Sequence, residues 1–143
     1  MAYDNQNIFA KILRKEIPSF SVYEDDLVYA FLDIMPVNPG HILIAVKEQV
    51  ALLEDLSPKA TAHLMIIAQK LTRTIKSTYN CPGVNLLMND GPASGQEVPH
   101  LHLHLIPRYE GDGFGFRFGS KGRIQSTPEA LKLVAESLKT NLK

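Results

Sequence analysis

The chain has 143 residues, enough to bury a core without disulfides or metals. Apolar residues make up 45% and charged residues 21%, a globular balance that excludes a disordered chain. Lys plus Arg and Asp plus Glu number 15 each, so no net field draws the molecule to nucleic acid or an anionic membrane.

Ile8, Phe9, Ile12 and Leu13 recur at helical spacing, and Pro18 is expected to end that short helix. Ser21 to Glu24 and Leu27 to Asp33 are rich in Val, Tyr and Phe, and with Asp25-Asp26 between them they read as a hairpin. Pro36-Val37-Asn38-Pro39-Gly40 is a turn, followed by a third strand from His41 to Val46. Ser57-Pro58 starts a long helix: a side-chain cap, then a proline where no backbone donor is needed. That helix runs to about Tyr79, with Leu64, Ile67, Ala68, Leu71 and Ile75 on one face, and Asn80-Cys81-Pro82-Gly83 stops it. His63 falls in its middle and carries no assigned role. Val84 to Met88 and Leu101 to Ile106 are two further strands, joined by the Gly-rich stretch from Asn89 to Glu97. Thr127-Pro128-Glu129 opens a last helix with Leu131, Val134, Ala135, Leu138 and Leu142 on one face.

Five short strands, mostly hairpin-connected, with segregated helices indicate an α+β domain built on a five-stranded antiparallel sheet. Cys81 is the only cysteine, which rules out an intrachain disulfide and a thiolate metal cage. The first residues lack the basic-then-apolar layout of a secretory leader, and no apolar run reaches membrane-spanning length. A cytoplasmic enzyme or binding protein is the expectation.

The chemistry concentrates in His100-Leu101-His102-Leu103-His104. Strict alternation puts three imidazoles on one sheet face and the leucines on the other, core face. Three adjacent imidazoles are not readily satisfied inside hydrocarbon, so the histidine face should meet water or a polar ligand. The outer two stand ~13 Å apart at a rise of ~3.3 Å per residue, too far to share one ion easily. A metal site formed by a neighbouring pair is one alternative. Phosphoryl chemistry is the other: neutral imidazole is a nitrogen nucleophile near neutral pH, and neighbouring rings can hold phosphate oxygens. Asn89, Gly91, Ser94, Gly95 and Gln96 supply amide and backbone donors just upstream.

Gly95-Gln96-Glu97-Val98-Pro99-His100-Leu101-His102-Leu103-His104-Leu105-Ile106 closely resembles the signature of the histidine triad (HIT) superfamily. Ile8-Phe9-Ala10-Lys11-Ile12, Glu16-Ile17-Pro18, Glu24-Asp25-Asp26, Phe31-Leu32-Asp33-Ile34 and Pro39-Gly40-His41 agree with it in the same order, over roughly residues 7 to 108. The match looks like the Hint-like bacterial branch. The resemblance implies one HIT domain over residues 1–143, with 109–143 a C-terminal loop and helix extension. It implies a hydrolase acting at the α-phosphate of purine nucleoside phosphoramidates or related conjugates, through a covalent nucleotidyl-histidine. His102 would be the nucleophile and His104 a donor to the α-phosphate. His100 would pair with His41 and hold the nucleophile's ring. Asn89, Gln96 and Gly95 would lie at the phosphate, Asp33 at the ribose hydroxyls, and Ile8, Phe9, Ile12, Phe31 and Ile34 around the base. Glu97 stands where many relatives have Ser or Thr; it either helps protonate a departing amine or faces solvent. No metal or other cofactor is required in this reading, a zinc site known in some relatives being replaced here by Asn7 and Ala10, and the partner is a second copy in a homodimer. A dinucleoside polyphosphate hydrolase and a non-catalytic nucleotide-binding module are the alternatives. Phe114 and Phe116, in Gly111 to Phe116, could cover the site or pack on a partner subunit.

Overall fold

Asn7 starts the first helix, α1 (Ile8–Leu13), by accepting the Ala10 amide on its side chain at 2.9 Å. The helix stops before Pro18: Arg14 is the C-cap and Lys15 takes a left-handed φ of 64°, so the chain has turned before the proline is reached. The computed structural model describes residues 3–115 and 122–142, and the chain forms two units, Met1–Asp112 and Gly113–Lys143.

The first unit is built on five antiparallel strands: β1 (Ser21–Glu24), β2 (Val28–Leu32), β3 (Ile42–Val46), β4 (Gly83–Leu87) and β5 (His102–Arg108), in the order β1-β2-β3-β5-β4. Most predicted strand limits fall within a residue of these. The exception is β5, which extends to Arg108 and takes in Pro107. A proline is tolerated there because β3 pairs with β5 only from His102 to Leu105, so no ladder bond on that side needs the missing N–H. His100, read as part of this strand, precedes it.

The two faces of the sheet are covered by different helices. Ser57 caps the long helix α2 (Pro58–Tyr79) by accepting the Ala60 amide at 3.2 Å. Leu64, Ile67, Ala68, Leu71 and Ile75 are buried as the apolar periodicity requires. They pack on Val28, Ala30, Ile42, Ile44, Leu103 and Leu105, which alternation and register place on one face. Burying each such aliphatic side chain contributes about 1.5–3 kcal/mol. The other face carries Tyr29, Phe31, Leu43 and Ala45 and is covered by Phe9 and Ile12 of α1. Cross-strand pairing of Leu43 with His104 and Ala45 with His102 puts those histidines on this second face.

Two contacts pin loops to α2. Asp25 accepts the amides of Leu27 and Val28 at 2.9 Å and meets His63 Nε2 at 2.6 Å, so the mid-helix histidine ties the hairpin turn to the helix. Gly40 has φ +89°, and the Tyr79 ring occupies the space a Cβ would need, so only glycine fits immediately before His41.

In the second unit, Thr127 caps α3 (Pro128–Asn141) by accepting the Ala130 amide at 3.2 Å. Phe116, one of the two loop aromatics singled out from the sequence, lies outside the described residues. Among the described residues no helix is long and apolar enough to cross a membrane.

Candidate active site

A cleft of about 430 Å³ opens between α1, the end of β2 and the loop preceding β5. His102, His104 and His41 line it beside Asp33, Asn89, Gly95 and Glu97. Its apolar wall includes all five side chains predicted for the base: Ile8, Phe9, Ile12, Phe31 and Ile34. Ile17, Pro18, Leu32, Met35, Val37, Leu43 and Val98 also line it, none of them assigned to the base from the sequence. Phe9 and Phe31 meet edge to face at 5.4 Å, and Phe9 stands edge-on to His102 at 4.8 Å. Both phenylalanines therefore belong to the core and to the cleft at once.

The hydrogen bonds assign each ring one tautomer. His102 Nδ1 lies 2.6 Å from the carbonyl of His100; a carbonyl only accepts, so Nδ1 carries the hydrogen and Nε2 keeps its lone pair. The Val37 amide donates to His41 Nδ1 at 3.2 Å, which leaves the hydrogen of a neutral His41 on Nε2. That nitrogen is 3.0 Å from His104 Nδ1 and donates to it, so the hydrogen of His104 sits on its own Nε2. The result is a lone-pair nitrogen on His102 beside an N–H on His104, with ring centroids 5.0 Å apart.

Burial keeps these rings neutral. It pushes His102 below the ordinary imidazole value, against the opposing pull of the His100 carbonyl and Asp33. Burial, reinforced by His102 and His41, lowers His104 to about 4. Burial also lowers His41, with Asp33 opposing. The histidine face meets the cleft as expected, yet His102 itself is only 6% exposed, with Phe9 of α1 edge-on to its ring.

His100 departs from the sequence reading. It is fully buried, its Nε2 donates to the Val46 carbonyl at 2.7 Å, and the Tyr3 hydroxyl contacts its Nδ1. Both ring nitrogens are engaged, so it does not pair with His41, whose partner is His104. His100 holds the His102 ring through its backbone carbonyl, not its side chain. Gln96 departs as well. Its Nε2 donates to the Ala51 carbonyl at 2.8 Å and its Oε1 accepts the Gly91 amide at 2.9 Å, so it braces the loop and does not line the histidine cleft. The predicted backbone donors of that loop turn inward too: the amides of Ser94, Gly95 and Gln96 donate to Gly91 or Pro92 carbonyls.

Asp33 sits at the cleft with Oδ1 accepting the Met35 amide at 2.8 Å and Oδ2 3.6 Å from His41 Nε2. One oxygen caps the turn and the other faces the histidines. Asn89 donates to the Gly95 carbonyl at 3.3 Å, and Glu97 is exposed at the cleft rim. Among the described residues, Asp33, His41 and His104 bring one possible metal-ligating atom each within 4.8 Å of one another. The wiring opposes a metal there, because the Val37 amide claims Nδ1 of His41 and leaves its inward nitrogen protonated.

A HIT domain pattern matches residues 14–111. The chain belongs to the HIT family. It is 44% identical over 122 residues to an uncharacterized HIT-like protein of Borreliella burgdorferi, covering 82% of this chain and 86% of that protein. It is also 44% identical over 102 residues to the adenosine 5′-monophosphoramidase HNT1 of Saccharomyces cerevisiae, covering 71% of this chain and 61% of the yeast protein. The crystal structure of a HIT family member from Bacillus subtilis superposes with a TM-score of 0.87 at 35% identity, over 96% of this chain and 98% of that one. The HIT fold and the histidine triad expected from the sequence are therefore those of this chain.

Proposed function

We propose that this HIT protein hydrolyses purine nucleoside 5′-phosphoramidates or closely related nucleotide conjugates at the α-phosphate. The observation that carries the reading is the tautomer wiring, which presents a neutral imidazole nitrogen and a neighbouring N–H donor to one cleft. In the first step His102 Nε2 bonds to phosphorus and the P–N bond breaks. The amine departs with a proton taken up at the open side of the cleft, where Glu97 lies. In the second step water attacks phosphorus and gives up a proton to solvent at the cleft mouth, the Nε2–P bond breaks to restore the neutral ring, and the nucleoside monophosphate leaves. Splitting the displacement lowers each barrier, and the N–H of His104 meets the charge on a phosphoryl oxygen.

The apolar wall suits a flat purine, which needs no particular hydrogen-bond edge to bind there. Asp33 Oδ2 is the carboxylate oxygen assigned to the ribose hydroxyls, and Asn89 is the amide assigned to the phosphate. The name of the yeast relative supports a phosphoramidate substrate, with an amine as leaving group, over a dinucleoside polyphosphate. The same reading includes a homodimer, in which β4 at the edge of the sheet, with Leu86 44% exposed, meets a second copy. Incubation with labelled adenosine phosphoramidate, acid-free quenching and mass spectrometry should find the nucleotidyl group on His102. Turnover with the label on another residue, or binding without turnover across phosphoramidates and diadenosine polyphosphates, would reject the mechanism.

A further inference from the structure

The ring of His100 is held from both sides. Its Nε2 faces the Val46 carbonyl, which can only accept, so that nitrogen carries the hydrogen. Nδ1 is then the acceptor, and the Tyr3 hydroxyl in contact with it must be the donor. Burial raises the Tyr3 phenol above its ordinary value, so the donor keeps its proton at neutral pH. Asn7 orients that hydroxyl by donating to its oxygen at 3.0 Å, while the same Asn7 side chain caps α1. From α1, Phe9 stands edge-on to His100 at 6.4 Å and to His102 at 4.8 Å. The contacts therefore close on themselves, from Tyr3 through His100 and its carbonyl to His102, and back through Phe9 and Asn7.

We propose that Tyr3 is a positioning residue for the nucleophile: its hydroxyl fixes the buried His100, whose carbonyl in turn sets the orientation and tautomer of His102. Nothing in the sequence pattern marks Tyr3, which precedes the segment matched by the HIT domain. Removing the hydroxyl leaves Nδ1 of a fully buried ring without a donor. An unsatisfied buried acceptor is costly, and the ring relieves it by rotating or exchanging tautomers. Either movement also releases the Val46 carbonyl. The backbone of His100 is the near end of a 2.6 Å bond to His102 Nδ1, so a small displacement there is felt by the attacking nitrogen. Misplacing a reacting group by an ångström is sufficient to cost two orders of magnitude, and a shift of a few tenths correspondingly less.

This inference rests on the assignment of His102 as nucleophile, and the test separates the two. In Tyr3→Phe, kcat and kcat/KM on an adenosine phosphoramidate fall together by about tenfold with KM unchanged, the pattern of a lost transition-state geometry. Asn7→Ser keeps the cap on α1 but withdraws the amide from the Tyr3 oxygen, and it shows a smaller loss in the same direction. Nitrogen-15 NMR of the imidazoles gives a readout that needs no turnover: wild type shows His102 protonated at Nδ1, and Tyr3→Phe shifts that ring toward a mixture of tautomers. Unchanged His102 ring resonances in Tyr3→Phe overturn the proposal, as does a lowered Tm with kcat per folded molecule intact. A wild type inert toward the phosphoramidate rejects the functional reading, and the ring resonances then decide the positioning role by themselves.

Discussion

The two faces of β5 begin from the same alternating sequence and end in opposite kinds of order. On one face Leu103 and Leu105 sink into a cluster with Leu64, Leu71 and Ile75 of α2, where shape and volume decide the fit. On the other, His102 is nearly as well covered, by Phe9 of α1, and His104 is part-buried, yet each ring is specified by a single hydrogen bond. The leucine face distributes its energy over many contacts, none indispensable by itself. The histidine face distributes very little: one carbonyl fixes His102, and one backbone amide fixes His41 and through it His104. Stability should therefore respond mainly to the first face and reactivity to the second.

The largest effect tests the second half of that contrast. His102→Asn leaves a side chain of similar polarity in the same pocket but removes the attacking nitrogen. Turnover of an adenosine phosphoramidate should fall by at least about 10³-fold, with nucleotide binding and Tm close to wild type. Steady-state kinetics beside a binding titration gives the answer. Activity within tenfold of wild type would show that another group performs the displacement.

The complementary substitution is Leu64→Ala, in the centre of the α2 cluster and 1% exposed. Deleting that buried side chain should cost about 2–5 kcal/mol of unfolding free energy, read from urea denaturation. At a temperature where the variant remains folded, kcat and KM should match wild type, since Leu64 packs on the face of the sheet opposite His102 and His104. A lowered kcat in the folded variant would mean that the two faces are mechanically coupled through β5.

The contrast also explains what could be read in the sequence. Apolar periodicity located α2 and its buried face residue by residue, because burial of a helix stripe is a local consequence of spacing. Alternation assigned the leucines of β5 to the core and put His102 and His104 on the other face, while the family resemblance added His41, Asp33 and the five apolar wall residues that line the same cleft. Residue type and spacing do not reveal which atom a polar side chain will find. His100 and Gln96 share the type and position of site residues, yet the carbonyls of Val46 and Ala51 engage them, and backbone acceptors have no sequence identity. The Val37 amide that sets the tautomer of His41 is invisible for the same reason, and Tyr3 is separated from His100 by 97 positions. The end of α1 was misplaced because Lys15 adopts a left-handed conformation uncommon for a side chain of its kind.

The smallest effect is the most direct comparison of the two faces, since it is obtained on the wild-type protein by changing pH alone. Burial lowers His41, His100 and His102 below the ordinary imidazole value of about 6.5 and takes His104 to about 4. The displacement needs a neutral His102, so the acid limb of the kcat/KM profile should lie below about 6.5. Stability runs the other way. Between the folded and unfolded values the unfolded chain binds protons that the folded chain refuses, so the stability present above about 6.5 is progressively lost as pH falls toward 4. Each depressed histidine contributes a slope of order 1 kcal/mol per pH unit within its own window. Tm should thus decline on acidification before kcat/KM does, because the unfolded chain's histidines take up protons at about 6.5, above the depressed values of the folded site. An acid limb at or above 6.5 would mean that His102 is protonated at an ordinary imidazole value, and the covered, single-tautomer arrangement of that face would have to be given up.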